Sequence, residues 1–109
     1  MSEPLSDDQH RHDRRALYGI SVAADLTGVS PQNLRVYEAR GLISPARTQG
    51  GTRRYSDHDV ARVERITVLL EEGLNLAGIS LVLELQDETG RLRRRLDALD
   101  DDRRRRDDG

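Results

Sequence analysis

Gln32, Asn33 and Arg35 lie within a single helical turn of one another, and each carries the donors and acceptors needed to pair with the edge of a base. Gln or Asn can bond adenine bidentately, and Arg can do the same to guanine. Any one of them alone reads as a solvated side chain on an exposed helix face. Their setting favours bases: Ser30 followed by Pro31 is a helix start, N-cap then first helical residue. The three side chains therefore occupy the first turns, the part of a recognition helix that reaches base edges. A second group, Arg47, Arg53 and Arg54, flanks the small tip Gln49-Gly50-Gly51. A guanidinium is planar, permanently charged and suited to phosphate, and a glycine tip permits close approach to a backbone. Surface ion pairing is the alternative for each of these arginines, but residues 31–55 hold five arginines and one acid, Glu38. Tyr37 and Tyr55 are each open to two readings, a hydroxyl on phosphate or a ring at the edge of the core. Arg40, at a helix end, equally suits the helix dipole.

The elements that must position these groups follow from caps and periodicity. Ser21 is the expected N-cap of a short helix through about Thr27, with Val22, Ala23 and Leu26 as its inward face and Gly28 as a left-handed stop. The Ser30-Pro31 helix runs through Leu34 and Tyr37 at helical spacing to a second stop at Gly41. Two short helices joined by a glycine-containing turn form a helix-turn-helix pattern. Beyond Gly41 the period changes, and residues 42–55 read as a small β-hairpin with a basic wing. Ser56 caps a third helix whose buried stripe is Val60, Val63, Ile66 and Leu70, ending at Gly73. Asn75 can cap a fourth helix containing Leu76, Ile79, Val82 and Leu83.

From there apolar positions alternate by three and four: Val82, Leu85, Thr89, Leu92, Leu96, Leu99, a heptad seam about 26 Å long at helical rise. Such a stripe beside so small a core is expected to pair with a second chain, with folding back onto the N-terminal helices as the alternative. Gly90 weakens the seam by about 1 kcal/mol relative to Ala. The expected organisation is a disordered tail over 1–17, a winged helix-turn-helix DNA-binding domain over 18–80, a dimerisation helix over 81–99 and a charged tail over 100–109, frayed helix or coil. The fold class is mainly α.

Composition bounds the rest. The chain has 109 residues, 35% hydrophobic and 35% charged, without Phe, Trp or Cys, so an aliphatic, modest core is expected and no separate sensor domain is expected within these residues. Without cysteine there is no disulfide framework, thiolate zinc site or thiol sensor. The net charge of −2 argues against a nucleic-acid binder only until the basic stretch 31–55 is seen; residues 84–109 are dense in both signs and nearly neutral. Exclusive use of Arg among the bases also suits a GC-rich genome. The N-terminus lacks the apolar stretch of a signal peptide and no segment approaches membrane-spanning length, so a cytoplasmic location without membrane contact is expected. His10 and His12 with Asp7 and Asp8 are read as solvent-facing in preference to a weak metal site. No triad, paired-carboxylate or phosphate-loop arrangement stands out; no cofactor, metal or enzymatic activity is expected.

The string Leu34-Arg35-Val36-Tyr37-Glu38, then Gly41-Leu42-Ile43, Pro45, Arg47-Thr48, Gly51, Arg53 and Tyr55, resembles the MerR family of bacterial regulators. Residues 31–35, the run Arg53-Arg54-Tyr55-Ser56 and the stretch 73–79 look like its heat-shock repressor subgroup. Departures are Val36, where many relatives carry a second Tyr, and Thr52, where an aromatic is common. The resemblance implies a homodimer joined by C-terminal helices and bound to an inverted repeat in double-stranded promoter DNA. It also implies control of chaperone genes, with a chaperone co-repressor as a further partner. The DNA-contacting set is then Ser30, Gln32, Asn33, Arg35, Val36, Tyr37, Arg47, Arg53, Arg54 and Tyr55, and the dimerisation set is Val82, Leu85, Thr89, Leu92, Leu96 and Leu99. Repression by promoter occupancy leads; activation by DNA distortion is closely related, and an adaptor that binds a chaperone or polymerase instead of DNA ranks below because the wing keeps its arginines.

Overall fold

A computed structural model describes residues 15–108, as two compact units divided after Leu74. The His10 and His12 positions, and most of the expected N-terminal tail, lie outside the described residues.

In the first unit, strand β1 (Ala16–Tyr18) leads into helix α1 (Ile20–Thr27). Helix α2 (Pro31–Ala39) follows, then strands β2 (Ala46–Arg47) and β3 (Arg53–Ser56) and helix α3 (Asp57–Glu71). The sheet is antiparallel in the order β1-β3-β2, so the wing hairpin has a third strand that was expected to be unstructured chain. Pairing of Tyr18 with Tyr55 sets where α1 begins. Its N-cap is Gly19, not Ser21, and Gly19 has no side chain to give; its carbonyl accepts from the Ala23 amide at 3.0 Å.

Only Ala23 on α1 is buried, whereas Val22 and Leu26, expected to face inward, are about half exposed. The inward line runs instead through Ile20, Ala23, Ala24 and Thr27 at helical spacing. Small residues on that line let α1 lie close to α2 and α3, which it contacts. Thr27 Oγ1 donates to the Ala23 carbonyl at 2.8 Å and accepts from the Val29 amide at 3.2 Å, tightening the turn into α2.

The other caps follow the sequence. Ser30 Oγ accepts from the Asn33 amide at 3.1 Å, and Pro31 opens α2. At its end Gly41 has a φ of 74°, which lets the Leu42 amide reach back to the Tyr37 carbonyl at 2.9 Å. Ser56 and Asp59 form a reciprocal capping box at the start of α3, at 3.0 and 2.9 Å. Tyr18 donates its hydroxyl to Asp57 Oδ1 at 2.7 Å, tying β1 to the same helix start. Val63 and Ile66 are fully buried with Leu34, Leu42, Ile43 and Tyr55, and this is the core of the unit. Leu70, expected in the buried stripe, is exposed and sits in the last turn of α3, just before Gly73 with its φ of 97°.

The second unit is one helix, α4 (Leu76–Asp108), of 33 residues, about 50 Å at helical rise. Asn75 Oδ1 caps it by accepting from the Gly78 amide at 2.8 Å. The helix passes through Gly90 and continues beyond Leu99, where frayed helix or coil was expected. Asp100, Asp101 and Asp102 each stand four residues before an arginine, the favourable order for charge pairs along a helix, and Arg105 and Arg106 in the last turn suit its dipole. Leu85, Leu92, Leu96 and Leu99 are exposed on this helix, Thr89 likewise, and Val82 is half-buried. Among the described residues no helix is long and apolar enough to cross a membrane.

Candidate nucleic-acid interface

Helix α2 has two clearly different sides. Leu34 is fully buried and Tyr37 nearly so, while Gln32, Asn33, Arg35, Val36 and Arg40 are exposed. The cap bond of Ser30 and the two inward anchors fix the rotation of the helix, so the outward positions are set by packing of the inward ones. Val36 is 38% exposed, the one large apolar side chain on that outer side.

The hairpin is built to be rigid at its tip. The Thr48 amide donates to the Thr52 carbonyl at 2.8 Å, the Gly51 amide to the Thr48 carbonyl at 2.9 Å, and Gly51 takes a φ of 86°. Arg47 Nη1 donates to the Gly51 carbonyl at 3.0 Å, closing the loop from the side.

Glu38 joins helix to wing. Its Oε1 accepts from Arg47 Nη2 at 2.8 Å and from Arg53 Nη2 at 3.0 Å. Arg53 Nε also donates to Oε1 and Oε2, at 3.1 and 3.2 Å. The carboxylate holds the Arg53 guanidinium above the ordinary arginine value through that hydrogen bond, with partial burial opposing it. The scarcity of acids favours phosphate over ion pairing for Arg47 and Arg53; in the structure the single nearby acid engages both. That Glu38 stood alone among five arginines was the signal for this role. Arg35, Arg40 and Arg54 make no ion pair among the described residues. Arg54 is exposed, and its Nη1 lies over Gly19, where an added Cβ would be 3.8 Å away.

The tyrosines are placed more decisively than their residue types allow. Tyr55 is 0% exposed, and its hydroxyl has no hydrogen-bond partner, so it has no surface to offer a phosphate and is a core residue. Its membership of the DNA-contacting set is corrected on that ground: the alternation of β3 turns Arg54 outward and Tyr55 inward. Tyr37 is 6% exposed and, with Leu34, is one of the two buried residues of α2. Burial raises the pKa of both phenols above the usual tyrosine value, and for Tyr55 the Glu38 carboxylate adds to the rise.

A cleft of about 250 Å³ lies between residues 41–44 and the first turns of α3, lined in part by Ser44, His58 and Arg62. Arg62 Nε donates to the Leu42 carbonyl at 2.6 Å, which makes this side chain a brace between the end of α2 and α3.

Comparison with known proteins agrees with this geometry. The family profile described as MerR HTH family regulatory protein matches residues 18–86. A putative heat shock protein HspR of Streptomyces coelicolor is 46% identical over 80 residues, 72% of this chain and 53% of the relative. The HTH-type transcriptional regulator GlnR of Bacillus anthracis is 42% identical over 79 residues, 71% of this chain and 61% of the relative. The chain thus spans between about half and three fifths of the length of these curated relatives. Among solved structures, HiNmlR, a MerR family regulator lacking the sensor domain and bound to promoter DNA, superposes with a TM-score of 0.60 at 30% identity. That superposition covers 63% of this chain and 53% of the other. The N-terminal part of MtaN, the Bacillus subtilis multidrug transporter activator, gives 0.59 at 29% identity, covering 78% and 90%.

Proposed function

Because this chain belongs to the MerR family of DNA-binding transcription regulators, we propose that it is a homodimeric repressor of heat-shock and chaperone genes that binds an inverted-repeat operator from the cytoplasm. The observation that carries the DNA-binding part is the outward side of α2, where Gln32, Asn33, Arg35 and Val36 are exposed together beside the basic hairpin. Gln32 and Asn33 suit adenine, Arg35 suits guanine or phosphate, and Val36 offers an apolar surface to a thymine methyl group. Arg54, next to the start of α1, suits a phosphate, and the dipole at that helix end favours the same charge.

Homodimerisation rests on α4. Leu85, Leu92, Leu96 and Leu99, with Val82 and Thr89, follow a heptad spacing, and the leucines are exposed in a single chain. A second copy of the same seam covers them and places two recognition helices on symmetric half-sites. The heat-shock assignment, and with it a chaperone co-repressor, is supported by similarity to HspR at 46% identity.

Activation by promoter distortion is the second reading, favoured by the likeness to the N-terminal part of MtaN, which is described as an activator. Recovery of genomic fragments bound by the purified protein at a stated salt concentration gives the operator. Transcript measurement after gene deletion gives the sign: chaperone messages rise under the proposed repression. Unchanged chaperone messages with other genes altered would keep the regulator and remove the heat-shock assignment, while falling messages would favour activation.

A further inference from the structure

We propose that Glu38 governs how strictly the protein separates its operator from other DNA, by holding two wing guanidiniums away from the phosphate backbone. The inference rests on the reading of α2 and the hairpin as the DNA-binding surface.

Affinity for random DNA grows with the number of phosphates a protein neutralises. By count, the wing offers three arginines; by geometry it offers fewer. Arg53 presents Nε and Nη2 to Glu38, and that edge is the fork with which it would grip a phosphate bidentately. Arg47 commits Nη2 to Glu38 and Nη1 to the Gly51 carbonyl. The carboxylate side chain is 20% exposed, Arg53 24% and Arg47 45%, so the cluster is partly shielded from water and from salt. Arg54, on the opposite side of β3, has no such partner among the described residues. One wing arginine is therefore presented to phosphate while two are kept by the protein.

The same contacts fix the wing against α2. The distance between the phosphate contact at Arg54 and the base contacts of Gln32 and Asn33 is then set by the protein. A backbone contact made in register with correct bases adds to operator affinity, and random DNA gains only the backbone part. Both effects, fewer free cations and fixed spacing, raise discrimination. Glu38 is thus a positioning residue that touches neither base nor phosphate.

The test titrates the full-length protein against an operator duplex recovered from genomic fragments and a scrambled duplex of the same composition, at several salt concentrations. Glu38→Gln keeps the shape and removes the charge. It is expected to bind scrambled DNA several-fold more tightly and to steepen the salt slope there by about one to two per protomer. The ratio of operator to scrambled affinity should fall about tenfold or more. Arg53→Ala gives the second arm: alone it should leave the scrambled-DNA slope nearly unchanged, but added to Glu38→Gln it should lower that slope by about one. A purely structural salt bridge would not make the effect of Arg53→Ala depend on residue 38 in this way. Wild-type slope and discrimination in Glu38→Gln, or an Arg53→Ala effect equal in both backgrounds, overturns the proposal. A wild type that binds neither duplex removes the DNA-binding reading and this inference with it, whereas a wild type that binds with slopes indifferent to residue 38 removes this inference alone.

Discussion

The two units of this chain hold their structure by opposite means. The first, through Leu74, is a set of short elements, each begun or ended by an identifiable cap and anchored by a few fully buried side chains such as Leu34, Tyr55, Val63 and Ile66. The second is one helix of 33 residues whose seam leucines are exposed. Local caps start or stop the helices of the first unit. The helix carries repetition instead, and its seam leucines reach a dry environment only against another surface. What the difference teaches is that, under the proposed function, the two tasks divide by length scale, with DNA read by tightly specified turns and chains paired by a repeated pattern.

Five substitutions sharpen or break that contrast. Leu34→Ala removes a fully buried anchor of α2 and is expected to cost about 2–5 kcal/mol of stability, seen as a fall in the denaturant midpoint. A loss below half that range would mean that α2 is not held by its inward face. Leu96→Asp puts a charge into the seam of both chains of the proposed dimer, and self-association should weaken roughly a hundredfold or more while residues 15–74 keep their fold. Sedimentation that still shows the wild-type dimer would remove the seam as the interface.

Ser56→Ala deletes half of the capping box of α3 and should cost about 1 kcal/mol, with Asp59→Asn, which keeps a side-chain acceptor for the Ser56 amide, costing less. Thermal melting distinguishes the two. Tyr55→Phe removes a buried hydroxyl that has no partner, and stability should stay level or rise by up to about 1 kcal/mol. A drop of that size would show that the hydroxyl has a partner in solution.

These expectations also mark where sequence was enough. Ser30, Ser56 and Asn75 announced three helix starts because a cap is a local event, a side-chain oxygen meeting an amide two or three residues on. Gly28, Gly41 and Gly73 announced helix ends because each takes a positive φ there. Partners distant in sequence were less legible. Strand β1 is only three residues long, too short for periodicity, and exists because β3 is available to pair with it. Past Ile20 the inward line of α1 is alanine and threonine, so the larger Val22 and Leu26 point a sequence reading to the wrong face. In the candidate surface, the outward residues of α2 were legible from the cap and the period, while the engagement of Arg47 and Arg53 by Glu38 depends on how the hairpin folds against the helix. The long helix was read short because the leucines stop at Leu99, although the charge spacing beyond it still supports helix.

The central claim is that α2 reads bases and the wing holds the backbone. Titration of wild type, Asn33→Ala and Arg54→Ala against operator and scrambled duplexes across salt concentrations tests it most directly. The account predicts that Asn33→Ala weakens the operator by about 1–3 kcal/mol with little change on scrambled DNA. Arg54→Ala should weaken both duplexes and lower the salt slope by about one per protomer. If Asn33→Ala, and likewise Gln32→Ala and Arg35→Ala, weakened both duplexes equally, the second helix would not read bases, and specificity would have to come from DNA shape or from the wing.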